Sequence, residues 1–168
     1  MQQTVSKINL NQLFLFAALV VALLLIDQIS KALVRGNLDL GEYIPLLGQY
    51  LGIGYTQNTG AAFGIFTNGT VPLSILAVIM AIACLCIFFK PHLIPQLNNT
   101  AGRLSISLLF VGAIGNMLDR LLLGFVTDWI KLPPIPNFNV ADSCITIAVL
   151  IIIIFIFLPI IFKKEKRV

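Results

Sequence analysis

The chain has 168 residues, of which 58% are hydrophobic and only 11% are charged, and its formal net charge is +4. Soluble domains carry roughly a quarter charged residues, so this composition excludes an ordinary soluble domain. The basic residues form no stripe interleaved with exposed aromatics, and we therefore expect no nucleic-acid partner.

The apolar residues fall in four blocks, each near the length of about 20 residues that a helix needs to cross a bilayer. They predict spans at residues 10–29, 71–89, 104–123 and 141–162. A soluble bundle would need a polar face on each helix, and the fourth block has almost none. We therefore predict an all-α membrane protein in which four transmembrane helices form one integral membrane domain over residues 1–168.

The first apolar block has the length of a signal-peptide core. Only Lys7 precedes it, and no small-x-small cleavage site follows it. The block instead continues into Asp27-Gln28-Ile29-Ser30-Lys31, so we expect a retained span.

The basic residues predict the orientation of the spans. One side would hold Lys31, Arg35, Arg120 and Lys131, and the other would hold seven basic residues: Lys7, Lys90, Arg103, Lys163, Lys164, Lys166 and Arg167. The positive-inside rule places the larger group, and with it both termini, in the cytoplasm. The net charge is then mainly a topology signal.

Two outer loops follow from this topology, at residues 30–70 and 124–140. The first begins as a continuation of the first helix and becomes extended over residues 46–58, where apolar residues alternate with Gly52 and Gly54. Alternation with period two predicts a small extracytoplasmic antiparallel β element in this loop. In the second loop three prolines keep the chain stiff and bring Asp128 towards the start of the fourth helix.

Gly112, Gly115, Asn116 and Asp119 share one face of the third helix. Such a face is typical of a helix-packing contact, with glycines for close approach and polar side chains bonding across it. In this interpretation Arg120 extends to the membrane surface. We expect Asp119 to hold either Arg120 or backbone amides of the second outer loop.

Asp27 and Lys31 are four residues apart with the acid first, the favourable order for an ion pair on a helix. A structural salt bridge is one interpretation. The other is that Lys31 reaches lipid phosphate or the backbone of a substrate.

Asp128 and Asp142 flank the second outer loop, at the predicted outer interface. Two carboxylates brought close share a proton, and the ionised one can activate water while the protonated one donates to a carbonyl. This is the chemistry of amide hydrolysis by aspartic proteases. The alternative is that Asp142 only caps the fourth helix and Asp128 is solvated.

Other hydrolytic chemistries lack their motifs. The sequence has neither the H-E-x-x-H of a zinc protease nor G-x-S-x-G, and its single histidine, His92, lies on the predicted cytoplasmic side. Cys84, Cys86 and Cys144 lie within apolar runs, so they indicate small hydrophobic residues rather than a disulfide framework or metal ligands. We expect no metal and no cofactor.

Five motifs in order resemble the lipoprotein signal peptidase (signal peptidase II) family of bacterial inner-membrane aspartic proteases. They are Asp27-Gln28-Ile29-Ser30-Lys31, Asn58-Thr59-Gly60-Ala61-Ala62-Phe63, Gly112-Ala113-Ile114-Gly115-Asn116-Met117-Leu118-Asp119-Arg120, Gly124-Phe125-Val126-Thr127-Asp128-Trp129-Ile130 and Phe138-Asn139-Val140-Ala141-Asp142-Ser143. Thr127 and Trp129 depart mildly from the residues common in the family, and Cys144 occupies a position that is usually small.

The resemblance implies that Asp128 and Asp142 are the catalytic dyad. It places residues that support the dyad or contact substrate at Asn58, Asn116, Arg120 and Asn139, and it includes Asp27 and Lys31 in a motif of less settled role. The implied substrate is a prolipoprotein whose cysteine carries a diacylglyceryl group, cut on the amino side of that cysteine. The implied location is the bacterial inner membrane, with the active site at the periplasmic face.

Two other functional classes compete with a peptidase. A small transporter or channel could use Asp27, Asp119 and Asp142 as a proton relay, but a relay needs acids spread through the membrane depth. A purely structural scaffold leaves the outer acids and asparagines without a role. We expect a monomer.

Overall fold

The computed structural model describes residues 10–60 and 69–157, with side chains as far as residue 155. Ala61, Ala62, Phe63 and the basic residues of both termini therefore lie outside the described residues. Within the described ranges the chain is mostly helical and carries one small antiparallel sheet, as predicted.

Four α-helices form the body of the protein: α1 is Leu10–Asn37, α2 is Thr70–Phe89, α3 is Thr100–Leu123 and α4 is Val140–Ile152. By length and composition α1, α2 and α3 are long and apolar enough to cross a membrane. Helix α4 is shorter and continues into a π-helical segment, Ile153–Phe157. The predicted fourth span runs on into residues outside the described ranges.

The outer surface of the helices is apolar, as expected for contact with lipid rather than water. Phe14 of α1, Val71 of α2 and Leu122 of α3 are 76%, 69% and 75% exposed. The buried contacts centre on α3, which packs against each of the other three helices. Helix α3 therefore forms the core that carries the polar residues.

Glycines of α3 allow its close approach to α4 and α1. A Cβ at Gly112 would collide with Ile145 and lie 2.7 Å from the Ala141 carbonyl oxygen. A Cβ at Gly115 would lie 2.7 Å from Asp27 Oδ2. The helix-packing role predicted for these two glycines is confirmed.

The sheet has four antiparallel strands in the order β1 (Tyr43–Leu47), β2 (Leu51–Asn58), β3 (Val126–Leu132) and β4 (Ile135–Phe138). The prediction of a β element in the first outer loop was therefore incomplete, because the second outer loop supplies half of the strands. The three prolines of that loop fit because Pro133 and Pro134 lie in the turn between β3 and β4 and Pro136 lies in the edge strand β4, where fewer backbone N–H groups are needed.

Pairing of β2 with β3 joins the two loops across the fold. In this register Thr56 lies opposite Asp128 and Asn58 opposite Val126. Strand β3 begins two residues after the left-handed C-cap of α3 at Gly124, whose φ is 83°. The tight turn brings Asp128 back over the end of α3.

Candidate active site

Asp128 of β3 and Asp142 of α4 line one cavity with a volume of about 760 Å³. The wall is completed by β2, β4 and the C-terminal half of α3, which contributes Asn116 and Arg120. A smaller groove of about 230 Å³ lies between α1, α2 and α3, but its lining is almost wholly apolar. The larger cavity is therefore the candidate site for acid–base chemistry.

Both oxygens of the Asp128 carboxylate accept hydrogen bonds from asparagine side chains. Asn139 Nδ2 donates to Oδ1 at 2.8 Å, and Asn58 Nδ2 donates to Oδ2 at 2.9 Å. The side chain of Thr56 donates to the Asp128 carbonyl oxygen at 3.1 Å. The carboxylate is thus held in one orientation, and Asp128 is 3% exposed rather than solvated.

The pKa of Asp128 is raised to about 6, chiefly by burial and secondly by the neighbouring charge of Asp142. The hydrogen bonds from Asn58 and Asn139 and the charge of Lys31 oppose this rise. A carboxyl group with a pKa of about 6 exchanges its proton near neutral pH, as a general acid or base must.

Asp142 lies in the first turn of α4, but the residue that caps this helix is Asn139. Asn139 Oδ1 accepts from the Asp142 backbone N–H at 2.9 Å, and Asp142 Oδ2 accepts from the Asn139 backbone N–H at 3.2 Å. This reciprocal pair is a capping box. The alternative in which Asp142 itself is the N-cap is therefore wrong, because Asp142 occupies the third helical position.

Asn116 of α3 holds the other oxygen of Asp142. Its Nδ2 donates to Asp142 Oδ1 at 2.7 Å, and its Oδ1 accepts from Asn139 Nδ2 at 3.1 Å. Asn116 and Asn139 together therefore connect the two carboxylates through hydrogen bonds. The predicted helix-packing role of Asn116 is therefore incomplete, because its side chain also binds the carboxylate of Asp142 directly.

Asp27 and Lys31 form a fully buried ion pair of 2.8 Å with both side chains 0% exposed. The interpretation in which Lys31 reaches lipid or substrate is wrong, since the ammonium is enclosed between α1 and α3. Asp27 Oδ1 accepts from the Ala141 backbone N–H at 2.8 Å, so this acid also binds an amide at the start of α4.

Asp119 is also buried and does not line the cavity. Its Oδ2 accepts from the Thr127 backbone N–H at 2.8 Å. Of the two expected partners, Arg120 or a backbone amide of the second outer loop, its hydrogen bond therefore goes to the amide. The Arg35 guanidinium lies 3.8 Å from Asp119 Oδ1. Asp119 thus holds β3 at Thr127, the residue before the candidate acid Asp128.

Arg120 faces the cavity instead of extending to the membrane surface. One terminal nitrogen donates to the Gly60 carbonyl oxygen at 3.3 Å. Among the described residues its buried Nε has no hydrogen-bond partner. The guanidinium is close enough to Asp142 and Asp128 to interact with their charges.

Sequence reasoning missed Thr56, Asn137 and Arg35. Asn137 Nδ2 donates to Thr56 Oγ1 at 3.2 Å, which continues the contact to Asp128 across the sheet. Arg35 donates to Thr127 Oγ1 at 2.8 Å. Two of these residues had a signal in the sequence. The period-two pattern of β2 puts Thr56 on the same face as Asn58, and Arg35 follows Lys31 by four residues on α1.

The residues described in 10–60 and 69–157 include no group of three or more histidine, cysteine or carboxylate side chains arranged to hold a metal ion. The polar groups of the cavity are two carboxylates, their amide donors and one guanidinium. This arrangement can hold one proton between two acids and bind a polar backbone.

Comparison with known proteins agrees with the resemblance of the motifs. A family model described as Signal peptidase (SPase) II matches residues 19–158. A lipoprotein signal peptidase of Fusobacterium nucleatum is 35% identical over 170 residues, covering 100% of this chain and 99% of the relative. One of Staphylococcus aureus is 35% identical and covers 88% of this chain and 91% of its own.

Solved structures agree with the sequence relatives. A bacterial membrane enzyme determined by the in meso method at 2.3 Å resolution superposes with a TM-score of 0.78 and 32% identity, covering 90% of this chain and 91% of that one. A second structure of a bacterial membrane enzyme, at 1.9 Å resolution, has a TM-score of 0.73 and 31% identity, covering 90% and 96%. With a family model that matches residues 19–158, relatives that are 35% identical over most of the chain and a shared fold, the chain belongs to the signal peptidase II family.

Proposed function

We propose that this protein is an aspartic endopeptidase that removes the signal peptide from prolipoproteins carrying a diacylglyceryl group on cysteine, cutting on the amino side of that cysteine. Asp128 and Asp142 are its catalytic residues. The observation that carries this proposal is the placement of these two acids in one cavity, connected through Asn139 and Asn116. The substrate class comes from the named relatives and from the resemblance of the five motifs.

The mechanism follows from one proton shared between the acids. The ionised carboxylate takes a proton from water as the water attacks the scissile carbonyl carbon, and the protonated carboxylate donates to the carbonyl oxygen. When the tetrahedral intermediate collapses, the acid that received the water proton passes it to the leaving amine nitrogen, and the other carboxylate takes back a proton from a hydroxyl of the intermediate as the C=O bond re-forms. The peptide bond is broken with no covalent enzyme intermediate, and the dyad returns to its singly protonated state.

The surrounding groups divide the remaining tasks. Asn58, Asn116 and Asn139 donate to the carboxylate oxygens and orient them, while Arg120 is placed at the cavity wall to bind carbonyl oxygens of the substrate. Asp27, Lys31 and Asp119 lie outside the cavity and hold the elements that carry the acids. A cavity of about 760 Å³ has the size usual for ligand sites.

The membrane setting suits a lipid-anchored substrate. We infer four spans with both termini in the cytoplasm, which places the sheet and the cavity at the periplasmic face of the bacterial inner membrane. A diacylglyceryl group inserted in the outer leaflet would keep the adjoining peptide bond at the depth of the acids. The enzyme acts as a monomer in this proposal, without metal or cofactor.

The test is cleavage of a diacylglyceryl-modified prolipoprotein by the purified protein in detergent, beside Asp128→Asn and Asp142→Asn variants whose folding is checked by thermal unfolding. We expect loss of cleavage in both variants and a milder effect of Asp119→Asn. An unmodified prolipoprotein serves as the control for the lipid requirement.

Each result has a distinct meaning. If a folded dyad variant keeps near-normal cleavage, the dyad is wrong and Asp119 becomes the first replacement. If the folded wild-type protein cleaves nothing, the peptidase proposal fails and the transporter interpretation returns.

A further inference from the structure

The side-chain amide of Asn116 lies between a cation and a carboxylate. Its Oδ1 accepts from Lys31 Nζ at 3.1 Å, and its Nδ2 donates to Asp142 Oδ1 at 2.7 Å. An amide rotated by half a turn has nearly the same shape but exchanges its donor and acceptor ends. An ammonium only donates and an ionised carboxylate only accepts, so these partners permit a single orientation.

Lys31 is itself held without freedom to move. Its Nζ lies 2.8 Å from Asp27 Oδ2, 3.5 Å from Asp119 Oδ2 and 3.5 Å from the Gly115 carbonyl oxygen. The side chain is 0% exposed and is absent from the cavity lining. Among the hydrogen bonds of the described residues, Asn116 links Lys31 to Asp142, while the charge of Lys31 also acts across space on Asp128.

We propose that Lys31 is a positioning residue for the peptidase reaction, whose ammonium holds the Asn116 amide in the orientation that donates to Asp142. The inference rests on the proposed function and deepens it. This role distinguishes Lys31 from Arg35, which lies one turn further along α1. Arg35 also approaches Asp119, at 3.8 Å, but its hydrogen bond goes to Thr127. No contact joins Arg35 to Asn116 among the hydrogen bonds of the described residues.

The consequence for catalysis is a loss of alignment rather than a loss of substrate binding. Without Lys31 the Asn116 oxygen keeps only one of its two donors, Asn139 Nδ2 at 3.1 Å. The amide then turns its oxygen towards Asp142 more readily, which repels the ionised carboxylate and removes its donor. Misplacement of a reacting group by about 1 Å can cost on the order of 100-fold in rate. We therefore expect kcat to fall while KM stays near its wild-type value.

A double-mutant cycle of Lys31→Met and Asn116→Ala tests this coupling, with kcat and KM for a diacylglyceryl-modified prolipoprotein measured at each variant's own pH optimum. Working at the optimum removes the effect of the lysine charge on the titration of the dyad. We expect Lys31→Met alone to lower kcat on the order of 100-fold. Added to Asn116→Ala, the same change should alter kcat by less than about threefold, because the residue it acts through is already absent.

Arg35→Met is the matched control, since it removes a cation beside the same aspartate without touching Asn116. Whatever its size, its effect on kcat should multiply with that of Asn116→Ala. If the effects of Lys31→Met and Asn116→Ala multiply in the same way, or if Lys31→Met raises KM instead of lowering kcat, the positioning role is wrong.

Lys31→Met leaves Asp27 and Asp119 without their buried cation, which can prevent folding. In that case the same cycle is made in a protein that already carries Asp27→Asn. The asparagine has no charge, and its Oδ1 can still accept from the Ala141 amide. An inactive folded wild type would refute the proposed function as a whole. An active wild type with multiplicative effects in the cycle would refute the role of Lys31 alone.

Discussion

Asn139 and Asp142 are hydrogen-bonded to each other twice, through Oδ1 to the Asp142 backbone N–H at 2.9 Å and through the Asn139 backbone N–H to Oδ2 at 3.2 Å. Because the Asn139 oxygen caps the helix, its Nδ2 points away from α4, and that nitrogen donates to Asp128 at 2.8 Å. One residue thus starts α4 and joins the two proposed catalytic acids.

Asn139→Ala should lower both stability and activity. Loss of the cap costs about 1 kcal/mol of unfolding free energy, and loss of the donor to Asp128 should reduce kcat on the order of 100-fold. Thermal unfolding in detergent and cleavage kinetics measure the two effects separately.

Asn99→Ala is the matched control for the cap. Asn99 caps α3 by accepting from the Gly102 N–H at 2.9 Å and does not line the cavity. It should show a similar loss of stability with kcat preserved. Equal losses of kcat in the two variants would mean that Asn139 matters only as a cap.

The raised pKa of Asp128 predicts a pH dependence of stability. Because the folded-state pKa, about 6, lies above the ordinary value of 3.8, the folded protein binds the proton more tightly than the unfolded chain. The contribution of Asp128 to the free energy of unfolding is therefore fully present below pH 3.8. It falls by roughly 3 kcal/mol as the pH rises towards 6. Thermal unfolding of wild type and Asp128→Asn between pH 3.5 and 8, a range of about 4.5 units around these pKa values, measures this difference in stability.

The Asp128→Asn variant should lack this loss, so its stability relative to wild type should rise with pH over that window. Asp39→Asn, at an exposed turn, should leave the pH dependence of wild type in place. Parallel curves for wild type and Asp128→Asn would show that Asp128 titrates alike in the folded and unfolded chains.

The same proton should appear in the kinetics. If the dyad works singly protonated, kcat/KM should fall as pH rises through about 6, where the free enzyme loses the proton of Asp128. Asn58→Ala removes a donor that lowers this pKa, so the alkaline limb should move to higher pH.

Thr56→Val is the comparison for that shift, because Thr56 donates to the Asp128 carbonyl oxygen and not to the carboxylate. Its alkaline limb should stay where the wild-type limb lies. A profile that stays flat between pH 5 and 8, or about three units around the expected limb, would contradict a dyad that works singly protonated.

Gly112→Ala should disturb the contact between α3 and α4. The added methyl group meets Ile145 and lies 2.7 Å from the Ala141 carbonyl oxygen, so the start of α4 must move. Overpacking of this kind costs about 1–3 kcal/mol, and it also displaces Asp142. Thermal unfolding and cleavage rate should therefore fall together.

Gly36→Ala provides the contrast near the end of α1. No atom lies within 4 Å of the added methyl group, and alanine favours a helix over glycine by roughly 0.5–1 kcal/mol. This variant should be as stable as wild type or more so, with cleavage unchanged. Destabilisation by both substitutions would show that the cost at Gly112 does not come specifically from its contact with α4.

Features that depend on neighbouring residues could be predicted from the sequence. The apolar blocks correspond to helices because hydrophobic length and periodicity are local properties. The shared face of Gly112 and Gly115, the ion pair of Asp27 with Lys31 and the extended glycine-bearing strand likewise follow from spacing of two to four residues. The order of the motifs was sufficient to recognise the family.

The tertiary structure decided what distant residues do for one another. The sheet pairs Thr56 with Asp128, 72 positions apart, and no local pattern in the second outer loop predicts its strands. The burial of Lys31 depends on α3, 85 positions away at Asn116. Long-range packing selects one partner among several that are chemically equivalent, and that choice is made in space rather than along the chain.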